Sequence, residues 1–336
     1  MRVLVWHVHG GWMDAFVRGD HDYLLPTNAV RDAWGLGRAG RDWPANAIEV
    51  PLESLRDTDV DVVVLQRTEE LDLAARLLGR VPGRDVPAVF VEHNTPKREP
   101  VSERHPIADQ ERIPIVHVTH FNRLAWDSGR APTHVIEHGV PDPGPRYSGE
   151  LEAIGAAINE PVRRRRVVGA DLLPAFAAVA PVDVFGMGGD DLPDVLGVPL
   201  ERLRMRGDVP PGRLHAELAR RRVYVHPFRW TSLGLALLEA MHLGMPVLAL
   251  ATTEAIRAVP PEAGAISTDP SELVAAARRL LADPDEARAR GEVARAFALE
   301  RYGLERFQSD WNALITELAD AGAADGSRLM TEGARR

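Results

Sequence analysis

The segment Trp230–Pro246 contains the residues of this sequence whose types and spacing most clearly suggest chemistry. A loop that contains Gly234 leads into a helix, and Gly244 and Pro246 then end that helix and begin a strand. The free N–H groups and the positive dipole end at a helix start attract anions. Glu239 falls on the second turn among apolar residues, so we expect its carboxylate to face a ligand or a cleft. The alternative is a plain buried crossover helix with a solvated glutamate.

Basic residues and one histidine form two further candidates for ligand binding. Four consecutive arginines, Arg163–Arg166, precede Gly169 and carry positive charge that would neutralise an anionic ligand. In an arginine-rich protein the same run is also typical of a solvated basic turn. His93 follows the apolar run Ala88–Val91, and a strand ending there would present the imidazole to a ligand. The alternative is a loop histidine that caps the next segment.

Other histidines also crowd the expected strand ends, namely His7, His9, His117, His120 and His138. No carboxylate stands at metal-ligand spacing and no His-Glu-x-x-His motif occurs, so we expect no catalytic metal. We expect these histidines to bind substrate hydroxyl groups or to act as acid–base groups. The glycines of 186–189 lack the full dinucleotide spacing, so we do not expect NAD binding.

Composition excludes several classes of protein. The 336 residues include no cysteine, which excludes a disulfide framework, a thiolate zinc site and a cysteine nucleophile. A net charge of -9 argues against a nucleic-acid binder, which needs a basic field. Lys97 is the only lysine beside abundant arginine, a bias typical of GC-rich bacterial genes. The apolar runs are too short for a signal peptide or a membrane span, so we expect a cytoplasmic protein with at most peripheral membrane contact.

The elements that must position these residues alternate between strand and helix, which indicates parallel α/β sheets. The predicted strands are Val3–Val8, Asp61–Leu65, Ala88–Val91, Ile115–Thr119, Val135–Ile136, Ala153–Ile158, Val182–Phe185, Val223–Val225 and Pro246–Leu250. The predicted helices are Glu69–Leu78, Leu172–Val179, Arg213–Arg220, Leu233–Leu243, Ser271–Ala282, Pro284–Ala298 and Leu304–Leu318. We expect Gly10 and Gly11 to form a loop after the first strand, and Ser271 to be an N-cap.

A proline-rich segment divides the chain. Residues 141–145 read Pro-Asp-Pro-Gly-Pro, which can continue neither a helix nor a central strand. We therefore expect a Rossmann-like domain over residues 1–148 and a second one over 149–303, followed by a terminal helix at 304–318 and a flexible tail at 319–336. Two such domains would face a central cleft at the carboxyl ends of their strands, where a ligand should bind.

The segment Trp230–Pro246 resembles the signature of retaining glycosyltransferases of family 4, which have the two-Rossmann GT-B fold. That signature reads Glu, Gly, Phe, Gly, then Leu-Leu-Glu-Ala-Met and Gly-x-Pro-Val. The resemblance implies that Glu239 holds the ribose hydroxyls of a nucleotide-sugar. It implies amide donors to the diphosphate and sugar from three consecutive residues, Leu233, Gly234 and Leu235. Thr231 and Ser232 stand where the family has its first Glu and glycine, and the hydroxyl of Thr231 predicts an altered donor such as a deoxysugar.

The resemblance extends along most of the chain and implies roles for other residues. Family members place an Arg and a Lys before a sequence like Gly169-Ala-Asp-Leu-Leu173, where the two cations neutralise the diphosphate. Here Val168 stands at the lysine position, so the role would fall to Arg163 and Arg166. A nucleobase would lie near Arg206 and Val209. In the first domain, the implied site residues are Gly10 and Gly11 at the donor phosphate and sugar, and His93 at the donor sugar.

The activity implied by the resemblance is transfer of a sugar from a nucleoside-diphosphate donor to a hydroxyl of a small-molecule or glycan acceptor, with retention. It implies no cofactor and no metal, because the two cations neutralise the diphosphate, and no protein nucleophile, because the departing phosphate itself serves as the base. The terminal segment is expected to pack back on the first domain. Thr231 leaves a second possibility, a pseudoenzyme of the same fold that binds a nucleotide or a partner. A third is a sugar-nucleotide epimerase, which would need no acceptor.

Overall fold

The chain forms two compact units in a computed structural model that describes residues 1–333, with side chains to residue 322. The first unit comprises Met1–Gly139 and the segment from Leu304 onward, and the second comprises Val140–Gly303. Each unit is built around one parallel β-sheet. The predicted α/β class with two parallel sheets is therefore confirmed.

The first unit contains a seven-stranded sheet in the order β3-β2-β1-β4-β5-β6-β7. Its strands are β1 (Arg2–Val5), β2 (Asp22–Thr27), β3 (Ala47–Pro51), β4 (Val62–Leu65), β5 (Ala88–Glu92), β6 (Ile115–His117) and β7 (Thr133–Val135). Its first helices are α1 (Gly10–Phe16), α2 (Glu69–Leu78) and α3 (His120–Ala125), with a 3-10 helix at Leu52–Asp57. The order in which successive strands are added changes side between β1 and β4, which is a topological switch point. Open α/β sheets bind ligands at such points.

The second unit contains a six-stranded sheet in the order β10-β9-β8-β11-β12-β13. Its strands are β8 (Leu151–Ala157), β9 (Val182–Phe185), β10 (Leu203–Gly207), β11 (Arg221–His226), β12 (Val247–Leu250) and β13 (Gly264–Ser267). Its helices are α4 (Pro161–Arg164), α5 (Leu173–Ala177), α6 (Leu192–Leu196), α7 (Pro211–Leu218), α8 (Leu235–Leu243), α9 (Ala255–Ala258), α10 (Pro270–Ala282) and α11 (Pro284–Tyr302). Short 3-10 helices lie at Ala170–Leu172 and Pro261–Ala263.

Apolar strands form the cores of both units. All residues of β4 and of β12 are buried, as expected for parallel strands with helices on both faces. A dense cluster also surrounds α8, where the side chains of Leu237, Leu238 and Met241 are fully buried. These packed strands and helices fix the positions of the loops at their ends.

The boundary between the units lies earlier than residues 148 and 149. The N–H of Val140 donates to the carbonyl of Tyr302 at 2.9 Å, and Asp142 pairs with Arg295 at 2.7 Å. The N–H of Tyr147 donates to the carbonyl of Leu243. The proline segment is therefore bound to the second unit, which places the division at Gly139–Val140.

The last helix, α12 (Leu304–Gly333), packs within the first unit and is longer than the sequence predicted. Its residues Phe307, Trp311 and Ile315 are buried, and the rings of Trp311 and Trp12 lie 5.7 Å apart. The predicted helix end at 318 is wrong, because the helix continues to Gly333, and the flexibility of the tail from 319 stays a prediction. The sequence after 318 contains several alanines and no proline, and the helix continues through Gly322 and Gly326. Residues 334–336 lie outside the described part of the chain.

Two local predictions are corrected. Gly10 and Gly11 form the first turn of α1 rather than a loop, because the chain becomes helical directly after His9. Asp269 rather than Ser271 is the N-cap of α10, and its carboxylate accepts from the N–H of Ser271 at 2.8 Å. Across the residues that the structure describes, no helix is long and apolar enough to cross a membrane.

Candidate functional site

A pocket of about 190 Å³ lies at the carboxyl ends of three strands of the second unit. Its walls come from the ends of β8 and β9, the residues after β10, and one face each of α7 and α8. The lining residues are Ala157, Ile158, Asn159, Phe185, Gly186, Asp208, Val209, Leu214, Ala236 and Glu239. Carboxyl ends of parallel strands are where α/β sheets bind ligands.

Glu239 places a carboxylate in this pocket. It lies on the second turn of α8, and its side chain is 23% exposed while the residues around it in the helix are buried. Nε2 of His215 approaches its Oε2 at 3.7 Å, which is too long for a hydrogen bond. The carboxylate is therefore accessible and can accept hydrogen bonds from a ligand. This arrangement favours the expected ligand-facing Glu239 over a glutamate that is merely solvated.

The start of α8 leaves backbone N–H groups uncapped. Gly234 is the N-cap, and no side chain caps the helix. The first N–H groups therefore remain available to an anion beside the positive end of the helix dipole. A Cβ on Gly234 would lie 2.6 Å from Cε1 of His226, so the close approach of this turn to β11 requires glycine. Burial lowers the pKa of His226 to about 3, which keeps that imidazole neutral.

The residues before Gly234 differ in exposure. Thr231 is half-buried, whereas Ser232 and Leu233 are buried and the side chain of Leu233 belongs to the apolar core. Leu235 is the first helical residue. Thr231 is therefore the one of these three non-glycine loop residues whose side chain a ligand can reach.

The arginine run lies beside this loop. Arg163 and Arg166 are both exposed; Nε of Arg163 lies 3.3 Å from Glu160, and Nη1 of Arg166 lies 3.1 Å from Asp171. Val168, at the position of the family lysine, is fully buried. The segment has no cation at that position, and Arg163 and Arg166 keep most of their surface free for an anion.

Arg229 is a residue that the sequence analysis missed. It forms two hydrogen bonds to Asp171, at 2.6 and 2.9 Å, and a third to the carbonyl of Arg166 at 2.9 Å. The N–H groups of Arg229 and Trp230 both donate to the carbonyl of Val167. These contacts attach the arginine run to the loop that precedes α8. Its position directly before Trp230 was the only signal in the sequence.

Gly169 brings the same two segments into contact. Its φ of +68° lies in the left-handed region, and a Cβ there would lie 1.8 Å from the carbonyl oxygen of Pro227. Only glycine allows this approach without moving the backbone.

Arg206 does not line the pocket that contains Glu239. Its Nε donates a hydrogen bond of 3.0 Å to Oδ1 of Asp183. The side chain lines a different cavity of the second unit. Val209, two residues after the end of β10, does line the pocket. Of the two residues suggested for the nucleobase, the structure thus brings only Val209 close to Glu239.

In the first unit, His93 lies directly after β5 among aromatic side chains. Its ring is 4.1 Å from the ring of His9 and 5.1 Å from that of Trp12. Nε2 of His93 lies 3.0 Å from Oε1 of Gln66, whose amide nitrogen donates to the carbonyl of Trp6 at 2.7 Å. Oε1 of Gln66 is an acceptor, so Nε2 of His93 carries the hydrogen.

Burial governs the charge of these histidines. It lowers the pKa of His93 well below the usual value, and protonation of the neighbouring His9 or His138 would lower it further. Burial likewise lowers the pKa of His138 to about 3. The cluster is therefore neutral near pH 7 and can donate or accept single hydrogen bonds. Gly10 and Gly11 begin α1 next to His9, and this helix also has no side-chain cap.

Within the part of the chain that the structure describes, no three His, Asp or Glu side chains are placed to hold a metal ion.

Comparison with protein-family models finds a match in the second unit. The family model of glycosyl transferases group 1 matches residues 168–283. No curated protein sequence matches the chain. This matched segment contains α8, Glu239 and the arginine-binding Asp171.

Solved structures match nearly the whole chain. Sucrose-phosphate synthase from Thermosynechococcus elongatus is 15% identical with a TM-score of 0.70, covering 96% of this chain and 100% of that one. Anabaena HepE in complex with UDP is 14% identical with a TM-score of 0.71, covering 94% and 100%. A glycosyltransferase from Rickettsia africae ESF-5 is 13% identical with a TM-score of 0.67, covering 94% and 97%. The chain thus has the GT-B fold, and its residues 168–283 match the glycosyl transferases group 1.

Proposed function

We propose that this chain is a retaining glycosyltransferase similar to family 4, which moves a sugar from a nucleoside-diphosphate donor to a hydroxyl of a small-molecule or glycan acceptor. The observation that carries the proposal is the pocket in which Glu239 lies on the same helix as the uncapped N–H groups of α8. A carboxylate accepts hydroxyl hydrogens, and a helix start attracts phosphate. Together they fit a nucleoside diphosphate.

In the second unit, separate residues are proposed to bind the ribose, the base and the diphosphate. The carboxylate of Glu239 accepts hydrogen bonds from the two ribose hydroxyls, and the backbone beside Val209 faces the base. The N–H groups of Leu233, Gly234 and Leu235 bind the diphosphate. Arg163 and Arg166 neutralise its charge, supported by the contacts of Arg229 to the arginine run.

The residues proposed in the first unit rest on the family resemblance. Gly10 and Gly11 supply uncapped N–H groups for the donor phosphate and sugar. His93 presents Nδ1 to the donor sugar, because Nε2 is held by Gln66.

The proposed chemistry requires neither a protein nucleophile nor a metal. The acceptor hydroxyl attacks the anomeric carbon from the face that the diphosphate leaves, and a phosphate oxygen takes the hydroxyl proton. Guanidinium groups and helix N–H groups stabilise the charge that develops on the leaving diphosphate. The side chain of Thr231 carries no charge and is shorter than a glutamate, which supports a donor sugar with an altered hydroxyl pattern.

Uridine donors are the first to test. HepE has been crystallised with UDP and with UDP-glucose, and the pneumococcal O-GlcNAc transferase GtfA with UDP and GlcNAc. We therefore propose UDP-sugars as the starting donor panel, with GDP- and ADP-sugars as comparisons.

The experiment incubates the chain with these donors and an array of hydroxyl acceptors, with and without EDTA, and detects products by mass spectrometry. We expect a product whose anomeric configuration, read by NMR, equals that of the donor, with yield unaffected by EDTA. Glu239→Ala should lose this activity, whereas Glu292→Ala, an exposed control, should keep it. Inversion would contradict the retaining mechanism. Nucleotide binding without transfer across the panel would instead favour the pseudoenzyme.

A further inference from the structure

A second cavity, of about 380 Å³, lies at the amino ends of the strands of the second unit. Its apolar wall includes Leu151, Ala153 and Pro181. Its charged wall contains four arginines and two glutamates, namely Arg204, Arg206, Arg220, Arg221, Glu152 and Glu217. Strand β8 begins at this cavity and ends at the pocket of Glu239. Seven residues of strand span roughly 20 Å, so the two cavities are separate sites.

A buried carboxylate anchors the arginines of this cavity. Asp183 is fully buried in β9, and its Oδ1 accepts hydrogen bonds from Nε of Arg204 at 2.6 Å and Nε of Arg206 at 3.0 Å. Its Oδ2 accepts from Nε of Arg221 at 2.8 Å. Burial alone would raise the pKa of Asp183, but the bonds from Arg206 and Arg221 outweigh it and the pKa is lowered. The ionised carboxylate thus holds the guanidinium groups in fixed positions.

Two of these guanidinium groups keep their terminal nitrogens free. Arg204 and Arg206 use only Nε, and no other partner of their side chains occurs among the described residues. Their side chains are 34% and 39% exposed. Arg221 differs, because it is buried and its Nη1 is bound by Glu217. The two terminal nitrogens of each of these guanidinium groups therefore have no partner among the described residues.

The edge strand is irregular at this point. The pairing of β10 with β9 shifts between Met205 and Gly207, so Arg206 is the extra residue of a β-bulge. Bulges commonly redirect a side chain beside a functional site. Here the side chain of the bulged residue shares a carboxylate oxygen with Arg204.

We propose that this arginine cavity binds a small molecule that carries a phosphate monoester. Two fixed guanidinium groups provide N–H donors that match phosphate oxygens, and each is pre-oriented by Asp183. The remaining arginine of the wall, Arg220, already pairs with Glu150 at 2.6 Å. The volume exceeds that of a phosphate group, and the apolar wall accommodates the carbon part of the ligand. This site is independent of the proposed donor site.

Calorimetric titration with inorganic phosphate and with glycerol phosphate, at constant ionic strength and in the presence of saturating UDP, tests the proposal. We expect saturable binding of both probes. Arg206→Gln and Arg204→Gln should each weaken it roughly tenfold or more, because each removes charged hydrogen bonds. Asp183 retains two arginine partners in either variant, and circular dichroism checks the fold. Arg278→Gln, an exposed arginine of α10, is the control and should bind as the parent does.

Two outcomes would overturn the proposal. One is the absence of saturable binding of either probe. The other is binding that both cavity variants leave unchanged, which would place the phosphate outside this cavity. Loss of UDP binding by Glu239→Ala is measured separately, so a failure of the proposed function stays distinguishable.

Discussion

Gln66 and His93 are joined by a hydrogen bond of 3.0 Å that determines which imidazole nitrogen carries the hydrogen. The amide nitrogen of Gln66 is bound to the carbonyl of Trp6, so its oxygen must face His93. His93 therefore keeps Nδ1 as an acceptor. Gln66 lies 27 residues before His93 in the chain, at the end of the neighbouring strand β4.

Replacing this acceptor by a carboxylate should change the charge of the histidine. In Gln66→Glu we expect the pKa of His93 to rise, because a nearby anion stabilises the imidazolium. Nitrogen-15 NMR of the imidazole over a pH series measures this. Gln110→Glu adds the same charge elsewhere in the first unit and should leave the signal of His93 unchanged. An unshifted pKa in Gln66→Glu would disprove the contact.

The turn before α8 should tolerate no side chain at Gly234. In Gly234→Ala the new methyl group would lie 2.6 Å from the buried ring of His226, and we expect a loss of about 1–3 kcal/mol in the free energy of unfolding. Gly212→Ala is the matched control, because nothing lies within 4 Å of its Cβ position in α7. That variant should be neutral or slightly stabilising. Urea unfolding compares the two, and equal stabilities would contradict the packing described.

Buried neutral histidines should make the fold sensitive to acid. Burial lowers the pKa of His117, His138 and His226 to about 3, against 6.5 for the unfolded chain. Below pH 6.5 the unfolded state binds protons that the folded state does not. The free energy of unfolding should therefore fall as pH falls from 6.5 toward 3, by about 2 kcal/mol per histidine at pH 5.

Urea unfolding at several pH values measures this slope. His226→Gln should reduce the slope by about one proton. Stability that stays constant between pH 7 and pH 5 would show that these histidines are not buried as neutral groups.

Restoring the acid at position 231 should alter donor choice. In Thr231→Glu, we expect preference to move toward fully hydroxylated hexose donors, because the carboxylate reaches farther and accepts stronger hydrogen bonds. Competition between pairs of UDP-sugars measures the ratio of kcat/KM values. Thr268→Glu, an exposed position of the same unit, is the control. An unchanged ratio in Thr231→Glu would refute an altered donor.

Several buried apolar strands were predictable from sequence, whereas the buried strand β2 and the edge strand β10 were not. Continuous apolar runs gave β4, β5 and β12 nearly to the residue. Strand β2 was missed because Pro26 interrupts its apolar run, and β10 because two arginines alternate along an edge strand.

The candidate site was predictable in part. The helix Leu235–Leu243 and the accessible Glu239 followed from the spacing of glycines and apolar residues. Arg229, Gln66 and His215 could not be found this way, because each acts on a residue distant in sequence. The placement of Arg206 on Asp183 likewise depends on strand pairing, which the sequence of β10 does not reveal.

Calorimetric titration with UDP, GDP and ADP shows whether the pocket of Glu239 binds a nucleotide, with Glu239→Ala and the exposed control Glu292→Ala measured in parallel. We expect saturable binding of at least one nucleotide, weakened roughly ten- to a hundredfold in Glu239→Ala and unchanged in Glu292→Ala, because charged hydrogen bonds to the ribose are lost. Binding of none of the three nucleotides, or binding unaffected by Glu239→Ala, would contradict it.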